Sequence, residues 1–587
     1  MLYKSQGNYK LALEYYFKSL QVKQNIGDKQ AIASSYTRIG NIYKNQGNYH
    51  QALEYHLKGL TIRKKLGNKK EIASSYSSIS SIYKHQGNTV KALEYLFGSL
   101  SLKEEIGDRQ GIAAVYNNIG LVYKHQGKLD LALEYLFKSL KIKEEIGDKG
   151  GLDAAYNNIG LVYKHQGKLD LALEYLRKSL DLREKLGNRK EIASSYNNIG
   201  NIYYSKDNYK KALQYYSRSL KIKEGLGDIP GIASLHNNIA NIFKNQGSYS
   251  GALLEYSKSM ALRKKTGNIE DLARSYSNIG TAYSELGNAA LALEHYFKSL
   301  GIYEKTGNKK RTARIYNHIG VLCWKQENYQ EAIKYLSKSL SLGKELGNKH
   351  GDANLYDTLS LVYWCEGSCQ KSLASQLEAL KIRKEKGEKK GIAGSYQQVG
   401  RIYLKQRNYR QALEFYSKSK KIQEEIAYLP GLAQSYCGIG FCCFMVGENN
   451  KAIDFLKRAL DIGQNMNSLW IVRDAAKTLN KVYTRQKKLN EANKYQLLYK
   501  EKSEILEKEK DVKIITRLEM QYESGKRQRL QEMEQENRQA RVNRQRFLVF
   551  SISGFIVLLA LVIYTWLKVK ANQKQNRESQ EHIKKNR

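Results

Sequence analysis

The sequence is poor in proline and cysteine. Only 2 of its 587 residues are Pro and 6 are Cys. So little Pro argues against a loop-rich or disordered chain, and so few Cys exclude a disulfide scaffold. Acidic residues are also scarce, 57 against 98 basic ones, which gives a formal net charge of +41 at pH 7. Since 41% of the residues are hydrophobic and 45 are Tyr, we expect a large, mostly helical protein with a basic surface.

Compact catalytic signatures are also missing. The sequence contains no His-Glu-x-x-His, Gly-x-Ser-x-Gly, P-loop or Gly-x-Gly-x-x-Gly. Cys365 and Cys369 form a Cys-x-x-x-Cys without a second pair, which does not make a zinc site. His85, His125 and His165 recur at a fixed spacing, but helices packed roughly 10 Å apart would keep them from sharing one ion. We therefore expect no enzymatic activity, metal or cofactor.

What the sequence does contain is a period of 40 residues. Residues 111–150 and 151–190 are nearly identical, and the same frame runs without insertion from residue 8 to residue 487. Positions can therefore be compared as columns. The column of Gly40 holds Gly in eight of twelve copies, and the column of Ala12 holds Ala in twelve of thirteen. Such columns of small residues predict two helices whose backbones approach closely in every repeat.

Each repeat is predicted to be a helix–turn–helix unit. Tyr36, Ile39 and Tyr43 are spaced i, i+3 and i+7, as on one face of a helix. The facing stripe on the second helix consists of Ala52, Tyr55 and Gly59. Gly47 and Gly67 follow the two predicted helix ends, where a left-handed residue is common.

These motifs carry a family resemblance. Tyr-x-x-Ile-Gly-x-x-Tyr, then Gly, then Ala-Leu-Glu-Tyr, resembles the tetratricopeptide repeat in a 40-residue form, over about four-fifths of the chain. The resemblance implies an all-α fold, a right-handed α-solenoid, over residues 1–487. The chain opens inside a repeat, with only a second helix before Ala31, so we expect the N-terminal cap to lie outside it.

The periodicity stops after Lys487. Residues 488–546 are rich in Glu, Lys, Gln and Arg, and predict a long charged helix, or stalk. Apolar residues follow a heptad-like spacing at Leu498, Ile505, Val512, Ile515 and Tyr522. A weak coiled coil that self-associates and a solvated single helix both fit this pattern.

Residues 547–567 form an uninterrupted run without a charge. As a helix, this run is long enough to cross about 30 Å of hydrocarbon. Tyr564 and Trp566 lie near one end, where aromatic rings favour the membrane interface. We therefore predict one transmembrane helix, followed by a short basic tail, 568–587.

The orientation in the membrane is not fixed by charge, because six basic residues lie in 527–546, before the span, and seven lie in 568–587, after it. The N-terminus has no apolar signal segment, which favours cytosolic repeats if Met1 is the true start. The arrangement as a whole resembles bacterial tetratricopeptide-repeat sensors, which expose their repeats to the periplasm and continue as a histidine kinase or a helix-turn-helix regulator. That resemblance favours periplasmic repeats, and the short tail after the span holds no output domain.

Two sets of columns on the first helices are candidate binding residues, because this family binds ligands on the concave face. The first set is basic in early repeats and aromatic in later ones: Lys44, Lys84, Lys124 and Lys164, then Trp324, Trp364 and Phe444. Exposed aromatics on such a face suggest binding, although Lys on a helix is often only solvated. The second set is Asn117, Asn157, Asn197 and Asn237, each followed by a second Asn that would serve equally well to tie adjacent helices together.

We therefore expect a membrane-anchored scaffold that binds a protein or peptide in its concave groove and passes the event through the stalk. The alternative is a cytosolic adaptor anchored by its C-terminal span. Basic residues are interleaved with Glu rather than gathered in a separate domain, so specific nucleic-acid binding is not expected.

Overall fold

The computed structural model describes residues 9–585, apart from the side chains of 349–350, 512–513, 515–532, 534–535, 538, 549, 556–557 and 580–585. The described chain is helical, without strands, and its helices follow one another in pairs. The helices are α1 Tyr9–Ile26, α2 Lys29–Asn45, α3 Tyr49–Leu66, α4 Lys69–His85, α5 Thr89–Glu105, α6 Arg109–His125, α7 Leu129–Glu145, α8 Lys149–His165, α9 Leu169–Leu186, α10 Arg189–Ser205, α11 Tyr209–Gly225, α12 Ile229–Asn245, α13 Tyr249–Thr266, α14 Ile269–Glu285, α15 Ala289–Lys305, α16 Lys309–Lys325, α17 Tyr329–Glu345, α18 Lys349–Glu366, α19 Cys369–Lys386, α20 Lys389–Lys405, α21 Tyr409–Glu425, α22 Leu429–Met445, α23 Asn449–Asn465, α24 Leu469–Arg485 and α25 Leu489–Lys585.

Even-numbered helices are the first helices of the repeats and odd-numbered helices are the second. The chain divides into two compact units, one up to Leu272 and one from Ala273 onward. Within each unit the first helices pack against the second helices that follow them, as α8 packs against α9. The all-α solenoid of helix pairs is therefore confirmed.

Local capping residues set the length of each helix. Asp or Asn stands before most helices and accepts a hydrogen bond from a backbone N–H in the first turn, as Asp28 does from Ala31 at 2.9 Å. The other end closes on a left-handed residue, such as Gly47 with φ +79° or Gly67 with φ +68°. Since both signals recur in repeat after repeat, helix length hardly varies along the stack.

The core of each repeat is the crossing of its two helices. In the repeat of α8 and α9, a Cβ on Gly160 would lie 2.9 Å from Leu176 Cγ and 3.1 Å from the Ala172 carbonyl oxygen. Ile159 and Ala172 are fully buried beside this point. The predicted columns of small residues therefore mark where two backbones meet.

A buried serine ties the same two helices together. Ser139 Oγ in α7 donates to the Ala113 carbonyl in α6 at 2.7 Å, and neither residue is appreciably exposed. The equivalent bonds are made by Ser99, Ser219, Ser259, Ser299, Ser339 and Ser419. Because its hydroxyl is hydrogen-bonded, each serine can be buried at the crossing, and the bond holds the register of the two helices.

Tyrosine rings fill the side of each crossing. Tyr135 in α7 stacks on Tyr123 of α6 at 5.5 Å between centroids and meets Tyr116 at 5.9 Å. Phe97 of the preceding repeat meets the same ring edge-on at 6.2 Å. Aromatic contacts therefore link each repeat to its neighbour as well as its own two helices.

The predicted stalk begins as part of the solenoid. The first turns of α25 pack on α24 as a second helix would, with Ala492 and Tyr495 buried and the Tyr483 and Tyr495 rings stacked at 5.6 Å. Asn480 replaces the small residue of the crossing, and its amide donates to the Ala492 carbonyl at 2.8 Å. Packing thus extends beyond residue 487, the end of the repeat frame in the sequence.

Beyond these turns α25 continues as one helix to Lys585. The heptad positions Val512, Ile515 and Tyr522 fall among the side chains outside the described part. Within the described residues one segment, Gln539–Ser579, is long and apolar enough to cross a membrane. Its apolar side chains, such as Phe550 and Leu558, are exposed.

The close approach of the helices at the crossing predicts that the stability of the fold depends strongly on the size of the side chain at position 160. We expect Gly160→Val to lower the free energy of unfolding by about 2–3 kcal/mol, because the Ala172 backbone cannot move aside. Gly150→Ala is the control, since a Cβ there would meet only Asp148 Oδ1 at 3.9 Å. The measurement is urea unfolding of the full chain in detergent micelles, followed by circular dichroism. Equal urea midpoints for the two variants would contradict the assignment of the crossing.

His56 predicts a loss of local stability in acid. It is 1% exposed, neither ring nitrogen has a hydrogen-bond partner in the described chain, and burial, with Lys44 and Arg63, lowers its pKa to about 4. The pKa of an unfolded His is about 6.5. Between these values only the unfolded state takes up the proton, so stability is full at neutral pH and falls as the pH drops.

From pH 7 to pH 5 we expect the α2–α3 pair to lose about 2 kcal/mol more in the wild type than in His56→Leu. Hydrogen exchange of peptides from these helices at both pH values, corrected for intrinsic rates, measures the difference. The exposed His50→Gln is the control and should behave as the wild type does. If His56→Leu loses as much stability as the wild type, the histidine is not the acid-sensitive group.

Candidate binding surface

The basic column of the first unit forms a row along successive first helices. Lys84, Lys124 and Lys164 stand at the same position near the ends of α4, α6 and α8, and each is half-buried. Burial lowers the pKa of all three ammonium groups, and Lys84 lowers the pKa of Lys124 further. No acidic residue of the described chain contributes to these shifts. The three lysines therefore hold positive charge that the fold does not neutralise.

Three histidines extend this row. His85, His125 and His165 are exposed next to the three lysines. Burial of part of each ring lowers its pKa, and Lys84 and Lys124 lower the pKa of His125 further by repulsion. We call these six residues the basic strip. Among the described residues no group of three His, Cys, Asp or Glu side chains could hold a metal ion.

Lys44 and Lys244 occupy the same column at either end of the strip and are also half-buried. Between them Tyr204 interrupts the column, and its hydroxyl accepts a hydrogen bond from Asn245 at 2.8 Å. The lysine column is therefore basic along much of the first unit, and Tyr204 interrupts it.

The asparagine columns form a ladder between neighbouring first helices. Asn158 Nδ2 donates to Asn117 Oδ1 at 2.9 Å. The same bond joins Asn198 to Asn157 and Asn238 to Asn197, each at 3.0 Å. These amides tie adjacent repeats together. Asn237 lies in the same column on α12.

The aromatic column of the second unit is more enclosed than the sequence suggests. Trp324 is half-buried against a core cluster that its own repeat shares with the next one. Lys405 lies 4.4 Å from the centre of the Trp364 ring and donates to the Trp364 carbonyl at 2.9 Å. The space beside Trp364 is about 30 Å³, enough for a water molecule but not for a side chain.

The expectation that Phe444 is exposed on this face is not met. Phe444 is 7% exposed and belongs to the core of the second unit. The Arg485 guanidinium lies 4.0 Å from the ring centre and donates to the Phe444 carbonyl at 2.8 Å. The ring is covered because the next repeat supplies a long cationic side chain, which a column of single residues does not reveal.

A further column of functional interest was missed from the sequence. It lies at the ends of the second helices and is basic in eight of twelve copies, at Lys23, Arg63, Lys103, Lys143, Arg183, Lys223, Arg263 and Arg383. These side chains reach the start of the next first helix. Arg183 Nη1, for example, donates to Ser195 Oγ at 2.9 Å, and Lys223 pairs with Asp228 at 2.7 Å. The recurring basic residue at one column was the signal that could have revealed it.

Comparison with known proteins gives results for family and for structure. The family model described as tetratricopeptide repeat matches residues 1–65, 71–145, 152–225, 231–305, 311–385 and 391–465. Comparison with curated proteins gives no match.

Several solved structures are similar to parts of the chain. BtubC from P. vanneervenii is 18% identical with a TM-score of 0.35, covering 37% of this chain and 92% of its own. A signal transduction ATPase from Pyrococcus horikoshii with a tetratricopeptide repeat sensor is 19% identical with a TM-score of 0.45, covering 60% and 55%. The quorum sensor NprR from B. thuringiensis is 16% identical with a TM-score of 0.43, covering 62% and 99%. Likeness of this size carries no functional information.

The family assignment therefore rests on two findings: the six matched segments, which together cover more than half of the sequence, and the helix pairs observed at the same period. The chain belongs to the tetratricopeptide repeat family.

Proposed function

We propose that this protein is a membrane-anchored scaffold that binds a partner polypeptide through its repeats and acts as the sensory part of a signalling protein. The observation that carries the proposal is the basic strip, since the fold brings its lysines together without supplying carboxylates for them. An acidic segment would offset the repulsion between these groups and favour their charged form.

The strip suits a polypeptide better than a small anion. Its lysines repeat once per 40 residues, so neighbouring charges are a helix-pair apart, and an extended ligand would meet several in turn. Asn117 and Asn157 lie on the same first helices as Lys124 and Lys164, seven residues earlier. Their carbonyl oxygens are occupied by the ladder, which keeps the surface rigid where the ligand would bind.

In the second unit Trp324 and Trp364 remain candidate apolar contacts. Lys405 would have to leave the Trp364 ring before a partner could stack on it. A cation over an exposed ring contributes only about 0.5–1 kcal/mol, so a partner can replace it. We do not assign Phe444 to the surface, because its ring is buried.

Membrane anchoring is the second half of the proposal. The exposed apolar segment of α25 would cross the bilayer, the preceding part of α25 would serve as a stalk that could self-associate, and the repeats would lie in the periplasm. The same helix runs without interruption from the packed turns at Ala492 to the apolar segment. A conformational change at the end of the solenoid could therefore be passed to the apolar segment along one continuous helix.

The strip makes a prediction about acidic ligands. We expect a fluorescein-labelled hexaglutamate peptide to bind the full chain in detergent micelles, with its affinity falling as salt rises. Changing Lys84, Lys124 and Lys164 together to Gln should weaken binding about tenfold and reduce its salt dependence. Fluorescence anisotropy at two salt concentrations measures both effects.

The matched control removes the same charge elsewhere. Lys58, Lys138 and Lys178 lie on second helices and are each paired with a Glu four residues earlier, at 2.6–2.7 Å. Changing these three to Gln should leave peptide binding nearly unchanged. If both triple variants bind equally weakly, the peptide responds to the overall charge and not to the strip.

The topology makes a separate prediction. Alkaline phosphatase, which is active only outside the cytoplasm, should be active when fused after residue 540 of the complete gene product. Green fluorescent protein exported through the same secretion route should not fluoresce at that position. Fluorescence without phosphatase activity would place the repeats in the cytosol and favour the tail-anchored adaptor.

A further inference from the structure

The basic column at the ends of the second helices lacks a basic residue in four of its twelve copies. One of these is in α17, where Gly343 leaves a gap in its place. Arg183 shows what the column does when it is filled. Its guanidinium is buried, binds Asp153 at 2.7 Å and donates to Ser195 Oγ at 2.9 Å. Within the second unit the side chain of Arg383 is likewise largely buried against the carboxylate of Asp357.

At the gap a buried carboxylate faces the place that a cation takes in most other repeats. Asp352, in the first turn of α18, is 5% exposed, and no described residue donates to its Oδ1. A Cβ built on Gly343 would overlap this oxygen, so the carboxylate is aimed into the space that a side chain at 343 would take. Burial raises the pKa of Asp352, and the through-space effect of Lys344 and Lys386 offsets this only in part.

A cavity of about 620 Å³ opens beside the gap and is lined by Gly343 itself. This volume is typical of a small-ligand site, roughly 300–1,000 Å³. Lys310, Arg311 and Arg314 also line it. Arg311 does not fill the gap, because its guanidinium lies over the Tyr303 ring at 5.8 Å.

We propose that the gap at Gly343 is a slot for the basic side chain, preferably arginine, of a bound polypeptide. A planar guanidinium fits a carboxylate with two hydrogen bonds, which an ammonium cannot reproduce. The ligand side chain would take the place that Arg183 and Arg383 hold in their own repeats. The inference rests on the proposed function, since it assumes that the repeats bind a polypeptide.

The three basic residues that line the cavity, Lys310, Arg311 and Arg314, restrict the charge that a ligand can carry. A ligand that brought only positive charge would be repelled by Lys310, Arg311 and Arg314 before it reached Asp352. The arginine should therefore be flanked by acidic residues, which can pair with these three residues while the guanidinium enters the slot. This requirement agrees with the acidic ligand that the basic strip of the first unit favours.

The test uses two peptides that differ only in one charge. Acetyl-Glu-Arg-Glu-amide is the probe, and the same peptide with citrulline, a neutral isostere of arginine, is the control. Isothermal titration of the full chain in detergent micelles should show the arginine peptide binding at least about tenfold more tightly, as for a hydrogen bond to a charged group. Equal affinities would overturn the proposal.

Two variants locate the binding. Asp352→Asn keeps the shape of the side chain and should reduce the affinity for the arginine peptide to that for the citrulline peptide. Gly343→Arg should fill the slot from within and have the same effect, once Asp352 has rotated aside. Asp352→Asn alone decides the matter if Gly343→Arg does not fold. A preference for arginine that survives Asp352→Asn would place binding elsewhere and refute the slot.

Arg183→Gly provides a control for sensitivity, because it should open an equivalent slot beside Asp153. If this variant gains a preference for arginine that the wild type lacks, the assay works and the proposal for Gly343 is wrong. The two proposals fail separately. Loss of hexaglutamate binding in the basic-strip experiment bears on the proposed function, whereas the citrulline comparison bears only on the slot.

Discussion

The contact on which the whole structure depends is the crossing of the two helices in each repeat. In most repeats the backbone of one helix lies against the other with only an Ala or Gly between them, as at Gly160 and Ala172. At this separation a bulky apolar side chain would push the helices apart, and the displacement would pass to the next repeat, which packs on the same pair. The buried serine bond of Ser139 to Ala113 sits beside the equivalent crossing and holds its register. Tyrosine packing, capping and the asparagine ladder all presuppose that this distance is kept.

A constant crossing explains why the period admits no insertion between residues 8 and 487. Since each repeat contacts only its neighbours, one set of side chains that solves the packing problem can be used repeatedly. A residue that differs from the others in its column therefore marks a place where one repeat has a different property. His56 places a titratable ring where most other repeats have Leu or Tyr, and Gly343 removes a cation that most other repeats keep. We expect the first departure to cost stability in acid, and the second leaves a buried carboxylate beside a cavity.

The fold was predictable from the sequence because its determinants are local and repeated. Helix ends follow from Asn or Asp caps and from Gly47 and its equivalents, and the crossing follows from columns of small residues. Placement of side chains between repeats was less predictable. The amide of Asn158 was recognised as a possible tie, and the structure shows that bond to Asn117. Phe444 was expected to be exposed, but its burial depends on Arg485, 41 residues away in the next repeat. A column of the repeat shows which residues occupy equivalent positions. Whether such a residue is buried depends on side chains from other columns that extend over it from a neighbouring repeat.

The charged residues fall into two groups, those that are neutralised within the fold and those that are not. Many basic residues are neutralised within the fold, either on one helix, as Lys138 is by Glu134, or between repeats, as Lys223 is by Asp228. The strip of Lys84, Lys124 and Lys164 is not, and each added repeat lengthens the row of like charges while burial withholds part of the solvent that would screen them. A stack of neighbours cannot relieve this repulsion, since every repeat offers the same sign at the same place. Asp352 is the opposite case, a buried carboxylate that faces Gly343 of the preceding repeat, where most other repeats have a cation. A ligand that is acidic along its length would neutralise the positive strip, and one basic side chain on the same ligand would neutralise Asp352.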